Sequence, residues 1–148
     1  MKKIFIGSDH NGFILKQDVK KYIEEKGFDF EDLGNAVMDK NDDYPEYAFA
    51  VAKKVAEGGG TGVLLCGSGH GMAIAANKVA GVRAVCVGSV DDAKSARSDD
   101  DANVICLSGW SLGPAKAREI LGAWLSTEFS GAERHKRRLA QIERMERR

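Results

Sequence analysis

Proline and cysteine are scarce, with two of the first and three of the second in 148 residues. So few prolines leave no Pro-rich linker. An odd number of cysteines without paired spacing gives no disulfide framework, and reduced thiols in a cytoplasm are the expectation. An excess of charge is missing too: 22 Lys/Arg face 22 Asp/Glu, so no global field recruits nucleic acid or a membrane. Met1-Lys2-Lys3 is followed by only Ile4-Phe5-Ile6 before Gly7, too short for the apolar segment of a signal peptide. No run approaches the roughly 20 apolar residues of a membrane span. With no repeat or low-complexity tract either, one domain over residues 1–148 is expected, long enough to bury a core unaided.

What is present is an alternation. Short β-rich runs at Lys3–Gly7, Asp29–Leu33, Thr61–Leu65, Ala84–Val87 and Val104–Leu107 alternate with helical patterns. The helices are expected near Phe13–Lys26, Tyr44–Glu57, Gly71–Lys78, Asp91–Asp99 and Pro114–Ser126. That order predicts an α/β/α sandwich around a five-stranded parallel sheet, Rossmann-like in outline. In the first helix Phe13, Leu15, Val19, Tyr22 and Ile23 make one apolar face. A last helix, roughly Glu133–Arg147, is polar nearly all round and is expected to dock on another surface, a subunit interface being the natural one. From Ala132 to Arg148 it carries seven Lys/Arg against three Glu, net +4, which leaves −4 on the rest.

In such sheets ligands bind beyond the carboxyl ends of the strands. Two glycine-framed polar loops are predicted there, Gly7-Ser8-Asp9-His10-Asn11-Gly12 and Cys66-Gly67-Ser68-Gly69-His70-Gly71. In the second, an apolar strand ends in a thiol that opens onto bare amides and a helix start. Bare amides and a helix N-terminus attract oxyanions, and the same field favours thiolate over thiol. Cys66 beside an anion cradle is therefore suited to move a proton while the resulting charge is held.

Each residue also has a plainer reading. Cys86 and Cys106 sit inside strand runs and are assigned to the core. Ser68 is placed either to donate to the thiolate or to cap the helix, Asp9 to bind a ligand or to cap the first helix. His70 reads as a loop residue near a helix start. Arg134 and Arg138, four apart on one face, form either a solvated stripe or a phosphate clamp. Nucleotide loops fit poorly: Met72 stands where a dinucleotide fingerprint wants its third glycine, and Phe13 where a Walker loop wants its lysine. Asp9, His10, Cys66 and His70 together offer metal ligands, but no pair has ligand spacing on one element. No metal is assigned; a metal-dependent hydrolase using Asp9, His10 and His70 is the reading this sets aside.

The ordered set Gly7-Ser8-Asp9-His10, Asp43-Tyr44-Pro45, Cys66-Gly67-Ser68-Gly69-His70-Gly71, Ala75-Ala76-Asn77-Lys78 and Gly81-Val82-Arg83-Ala84 resembles the ribose-5-phosphate isomerase B family. The wider group includes galactose-6-phosphate and allose-6-phosphate isomerases. The resemblance implies a homo-oligomer, dimer or tetramer, with its active site at the subunit interface and a sugar or sugar phosphate as ligand. It implies Cys66 as the base that moves a proton between C2 and C1, and the amides from Gly67 through Gly69 to Gly71 as the enediolate hole. Asp9 and Tyr44 match sugar contacts; His10, Arg134 and Arg138 match phosphate contacts. No metal or organic cofactor is implied.

The chain departs from that pattern at three positions. Asp99 stands where the family has its ring-opening histidine, Asp100 where it has an asparagine, and Trp110 where it has a phosphate-binding arginine. In the family all three come from the neighbouring subunit. Two carboxylates near a phosphate repel it, whereas an indole stacks on a sugar ring. The expectation is an altered substrate: still an aldose–ketose pair, another pentose or hexose, phosphorylated or not. The alternative from another class is a non-catalytic sugar-binding subunit, against which the retained Cys66 argues.

Overall fold

The alternation of apolar strands and amphipathic helices folds, in a computed structural model that describes residues 2–147, into one parallel sheet. Its strands are β1 (Lys3–Ser8), β2 (Phe30–Asp32), β3 (Gly60–Cys66), β4 (Ala84–Cys86) and β5 (Val104–Ser108), in the order β2-β1-β3-β5-β4. Between and after them run α1 (Phe13–Glu25), α2 (Tyr44–Ala56), α3 (His70–Ala76), α4 (Val90–Asp100), α5 (Pro114–Ser126) and α6 (Glu133–Glu146). Parallel strands need crossovers, and each crossover helix must cover a face, so the sheet is buried on both sides.

The strand period of two divides the core. Ile4, Ile6, Val63, Leu65, Ile105 and Leu107 meet α1, α4 and α5 on one side. Phe5, Leu64, Cys66, Val104 and Cys106 meet α2 and α3 on the other. Strand order reverses between β1 and β3. There β1 pairs with β3 from Lys3↔Gly60 to Ser8↔Leu65, and the Asp9 amide donates to the Leu65 carbonyl at 3.2 Å, carrying the ladder one residue past β1. The loops after these strands therefore leave side by side.

Two features of the core differ from the sequence expectation. In α1, Leu15, Val19 and Ile23 are buried while Phe13 and Tyr22 are only partly so, and Lys16 lies fully buried among them. Its ammonium satisfies itself on Asp32 Oδ2 at 3.0 Å and the Asn35 carbonyl at 3.0 Å, with the Phe13 ring 5.2 Å away. Burial alone would raise the Asp32 carboxyl, but Lys20, the Gly34 amide and Lys16 outweigh it and hold the carboxyl below its usual range. Cys86 is the second correction. It is exposed, not core, because β4 is a short edge strand whose last side chain faces the loop after β3. Cys106, one strand inward, is fully buried, which pushes its thiol well above the ordinary value.

Helix α6 makes little contact with the body, and His135 is its one buried residue. The imidazole bonds to Ser130 Oγ at 2.9 Å and lies 3.8 Å from Asp99. No described helix is long and apolar enough to cross a membrane.

Lys16→Met leaves the Asp32 carboxylate with Lys20 and the Gly34 amide as its remaining partners. Breaking a buried pair usually costs about 3–5 kcal/mol; with Lys20 left, about 2 kcal/mol is expected in urea unfolding at pH 7. Because the folded-state pKa of Asp32 is depressed, its contribution is complete above the unfolded value and fades as pH falls through the folded one. The difference between wild type and variant should shrink over that acid range.

Candidate active site

The carboxyl edge of the sheet gathers the polar loops. Cys66, the last residue of β3, is buried on one side by Met72, Tyr47 and Ala48. On the other side its sulfur accepts the Gly69 amide at 3.1 Å. An N–H aimed at sulfur stabilises negative charge there. The turn holds this shape because Gly69 has φ +84°, a backbone region that L side chains enter only with strain. Gly67 and Gly71 serve a different need, close approach. A Cβ at 71 would stand 2.5 Å from Tyr44 Cζ, and one at 67 would overlap the Trp110 indole. So Tyr44 lies against one end of the loop and Trp110 covers the other.

Trp110 is set there by its own chain. Its amide donates to the Gly67 carbonyl at 3.0 Å, and Ser108 Oγ donates to the same carbonyl at 2.7 Å. The indole is nonetheless 71% exposed. The Ser68 hydroxyl accepts the His70 amide at 3.1 Å, a bond that orders the start of α3. His70 itself is exposed.

On the β1 side, Asp9 Oδ1 accepts the amides of Asn11 at 3.0 Å and Gly12 at 3.1 Å, so the carboxylate organises the entry to α1. Burial pushes this carboxyl up, against the pull of the Gly12 and Asn11 amides and of His10. His10 Nδ1 lies 2.7 Å from Asp42 Oδ1, which also accepts the His10 amide at 3.1 Å. That hydrogen bond holds the imidazole above the usual histidine value, with the charges of Asp9 and Asp39 adding to it. Asp42 is the site residue that sequence reasoning passes over. Its signal was local, a second aspartate directly before the Asp43-Tyr44-Pro45 motif. Asp9, His10 and Asp42 also hold their ligand atoms within 4.8 Å of one another, the set among the described residues best placed for a cation. Each already has a hydrogen-bonding partner within the chain.

Asp99, Asp100, Arg134 and Arg138 lie elsewhere. Helix α4 ends at Asp100, and β5 begins beside Gly62, four residues before Cys66 along β3. At about 3.3 Å per residue that is roughly 13 Å down the sheet, at its amino edge. Helix α6 is tethered to the same edge by the Ser130 amide on the Ser98 carbonyl and by Glu146 on the Gly81 amide. Asp99 and Asp100 are exposed, as are Arg134 and Arg138, and neither arginine has an ion pair among the described residues. Within one chain the candidate residues thus fall into two groups at opposite edges of the sheet.

A model of the Ribose/Galactose Isomerase family matches residues 4–142. The ribose-5-phosphate isomerase B of Escherichia coli (strain K12) is 40% identical over 149 residues, covering 100% of this chain and 99% of that protein. A probable ribose-5-phosphate isomerase B of Mycoplasma genitalium is 43% identical over 145 residues, 97% of this chain and 95% of the other. A crystal structure of the Mycoplasma genitalium ribose-5-phosphate isomerase B with bound ribulose-5-phosphate matches with a TM-score of 0.95, covering 98% of this chain and 96% of that one. The corresponding Clostridium thermocellum protein, 36% identical, matches at 0.94 over 98% and 97%.

Gly69→Ala forces a side chain into the left-handed region and sets its Cβ 2.8 Å from Cys86 Sγ. A loss of about 2 kcal/mol is expected from the backbone strain and this contact. Thermal unfolding measures it, and Gly81→Ala is the control, since that glycine shares the positive φ but has open space around it.

Proposed function

Since the chain belongs to the ribose/galactose isomerase family and is an aldose–ketose isomerase, we propose that it interconverts sugar phosphates of the ribose 5-phosphate/ribulose 5-phosphate type, with Cys66 as the base. The observation that carries this reading is the Cys66 sulfur turned onto the Gly69 amide at 3.1 Å, at the mouth of the glycine-framed 67–71 turn.

In the open-chain aldose, Cys66 thiolate takes the proton from C2, and the electron pair of that bond forms the C1–C2 double bond of an enediolate. The charge on the oxygen is held by amides in the 67–71 turn, donors already in place before the reaction and worth several kcal/mol. The thiol then returns its proton to C1 while the hydroxyl proton of O2 passes to O1. C1 is reduced as C2 is oxidised, so the redox change balances inside the sugar. Asp9 and Tyr44 border the reacting carbons, and His10 takes the phosphate. Ser68 holds the start of α3, and His70 stands at the rim.

The distance between the two groups of candidate residues supports a homo-oligomer in which the amino edge of one chain faces the carboxyl edge of another. Arg134 and Arg138 then reach the phosphate from the partner, and Asp99 and Asp100 approach the sugar. Exposed Ile14, Val37, Ile74 and Trp110 surround the carboxyl edge, an apolar rim of the kind subunits cover. Asp99 in the place of a ring-opening histidine, and Trp110 in the place of an arginine, support a preference displaced from ribose 5-phosphate toward another aldose.

Cys66→Ala should lower turnover by at least 10²–10⁴-fold, the range for loss of a positioned base, while costing about 1 kcal/mol of stability. Exchange of the C2 proton with deuterated solvent should vanish with it; near-normal exchange refutes the assignment and favours a binding role. A panel of free and phosphorylated aldoses tests the preference, and strong selectivity for ribose 5-phosphate rejects the displacement. Asp99→His should raise rates on cyclic sugar phosphates. For the shared site, mixing inactive Cys66→Ala with inactive Arg138→Ala should restore about a quarter of wild-type activity in a randomly exchanged dimer, since half the dimers regain one intact site of two. No recovery would place the whole site within one chain.

A further inference from the structure

The loop between β2 and α2 carries a chain of polar contacts that capping and packing leave unexplained. It begins at buried Lys16, whose ammonium holds Asp32 and the Asn35 carbonyl. The Asn35 side-chain amide then donates to Asp42 Oδ2 at 3.3 Å, and the other oxygen of Asp42 receives both the amide and Nδ1 of His10. The Asp42 side chain is only 4% exposed, although it sits in an irregular loop. Tyr47, one turn into α2, faces it; burial and then the Asp42 charge push the Tyr47 hydroxyl up to about 12, so Tyr47 keeps its proton. Asp42 thus accepts from Asn35 on one oxygen and from the His10 amide on the other.

We propose that Asp42 is a positioning residue for the isomerase reaction: it commits Nδ1–H of His10 to itself and thereby presents Nε2 to an anionic oxygen of the substrate. The proposal rests on His10 as a substrate contact. An acceptor-only carboxylate at 2.7 Å leaves Nδ1 no alternative to carrying a proton. Nε2 is then a donor only when the ring is an imidazolium; in the neutral ring it presents a lone pair, which an anionic oxygen repels. Asp42 thus makes the contact charge-dependent. The groups facing the imidazole are all acidic, Asp42 first and then Asp9 and Asp39, and all three favour the charged ring. Protonated His10 binds the anion, and the contact is lost as pH rises through its elevated pKa.

The chain has three histidines, so NMR resolves each. In wild type at pH above the His10 midpoint, ¹⁵N shifts should show the neutral ring as the Nδ1–H tautomer, the less common form in solution; finding Nε2–H overturns the proposal without any variant. In Asp42→Asn the His10 titration should move down toward the ordinary histidine value, while His70 and His135 stay fixed. KM for the sugar phosphate, measured at a pH between the His10 midpoints of variant and wild type, should rise about tenfold, with kcat changed less than about threefold, as expected when a charge-assisted binding contact is lost. Asp42→Glu should recover part of the His10 shift. An unmoved His10 titration in a folded Asp42→Asn protein overturns the proposal, as does a moved titration with unchanged KM. If wild type turns over no sugar phosphate at all, the isomerase reading falls instead, and the tautomer still decides the pair.

Discussion

The β1–β3 pairing is the constraint on which the site depends. It lies where strand order reverses, and its ladder runs one residue beyond β1 through the Asp9 amide. That extra bond places the Asp9-His10 turn beside the Cys66 turn, whatever else the loops do. The approach is close: a Cβ at Gly12 would stand 2.6 Å from the Leu65 carbonyl. The backbones at 7–12 and 66–71 are therefore anchored by a sheet buried on both faces, and loop contacts such as Asp42 on His10 then set the side chains. A rigid scaffold of this kind lets an anion hole pre-exist, so that little reorganisation is left for the moment when charge develops.

Much of this was legible in the residues because local signals agreed with the fold. Continuous apolar runs bounded by glycine gave strands buried on both faces, and Pro at the start of α2 and α5 marked helix beginnings. What escaped depends on contacts distant in sequence. Lys16 falls on the apolar stripe of α1, and nothing within α1 shows that Asp32 and Asn35 wait for it 16 and 19 residues away. Asp42 is one of several acidic residues in a polar stretch, and His10, 32 residues back, is what distinguishes it. Cys86 carries a strand signature, but whether a strand end faces core or solvent is set by its place in the sheet, and β4 is at the edge. His135 stands beside Arg134 in a helix that is polar nearly all round; its burial follows from where α6 lands against α4.

The two groups of candidate residues also differ in how they are built. Around Cys66 the partners are mostly backbone amides, fixed by the fold and indifferent to neighbouring substitutions. At the amino edge the partners are exposed side chains on α4 and α6, free to change without disturbing the core. This division fits the proposal that the substrate preference is displaced at the amino-edge positions. Asp99 and Asp100 are exposed at the end of α4, with the His135 imidazole 3.8 Å from Asp99, whereas the cysteine, the glycines and Tyr44 interlock. Trp110 is an instructive exception, since its backbone is bound to Gly67 and its ring lies against the loop, so that a substitution there alters the mouth of the Cys66 turn directly.

Charge then decides what such a site prefers. In the proposed assembly, a face of two arginines with a neutral histidine and asparagine set opposite the 67–71 amides would carry a positive field suited to a phosphate dianion. With Asp99 and Asp100 in those places the same face would carry two positive and two negative charges. At an effective dielectric near 20, a carboxylate 6 Å from a phosphate charge opposes it by roughly 3 kcal/mol before screening. The protonated His10 ring and the backbone hole are the positive elements that do not depend on the partner's helices. They fall to Asp42 and to the Gly69 turn respectively, which is why both are held by buried contacts while the opposing face is left to vary.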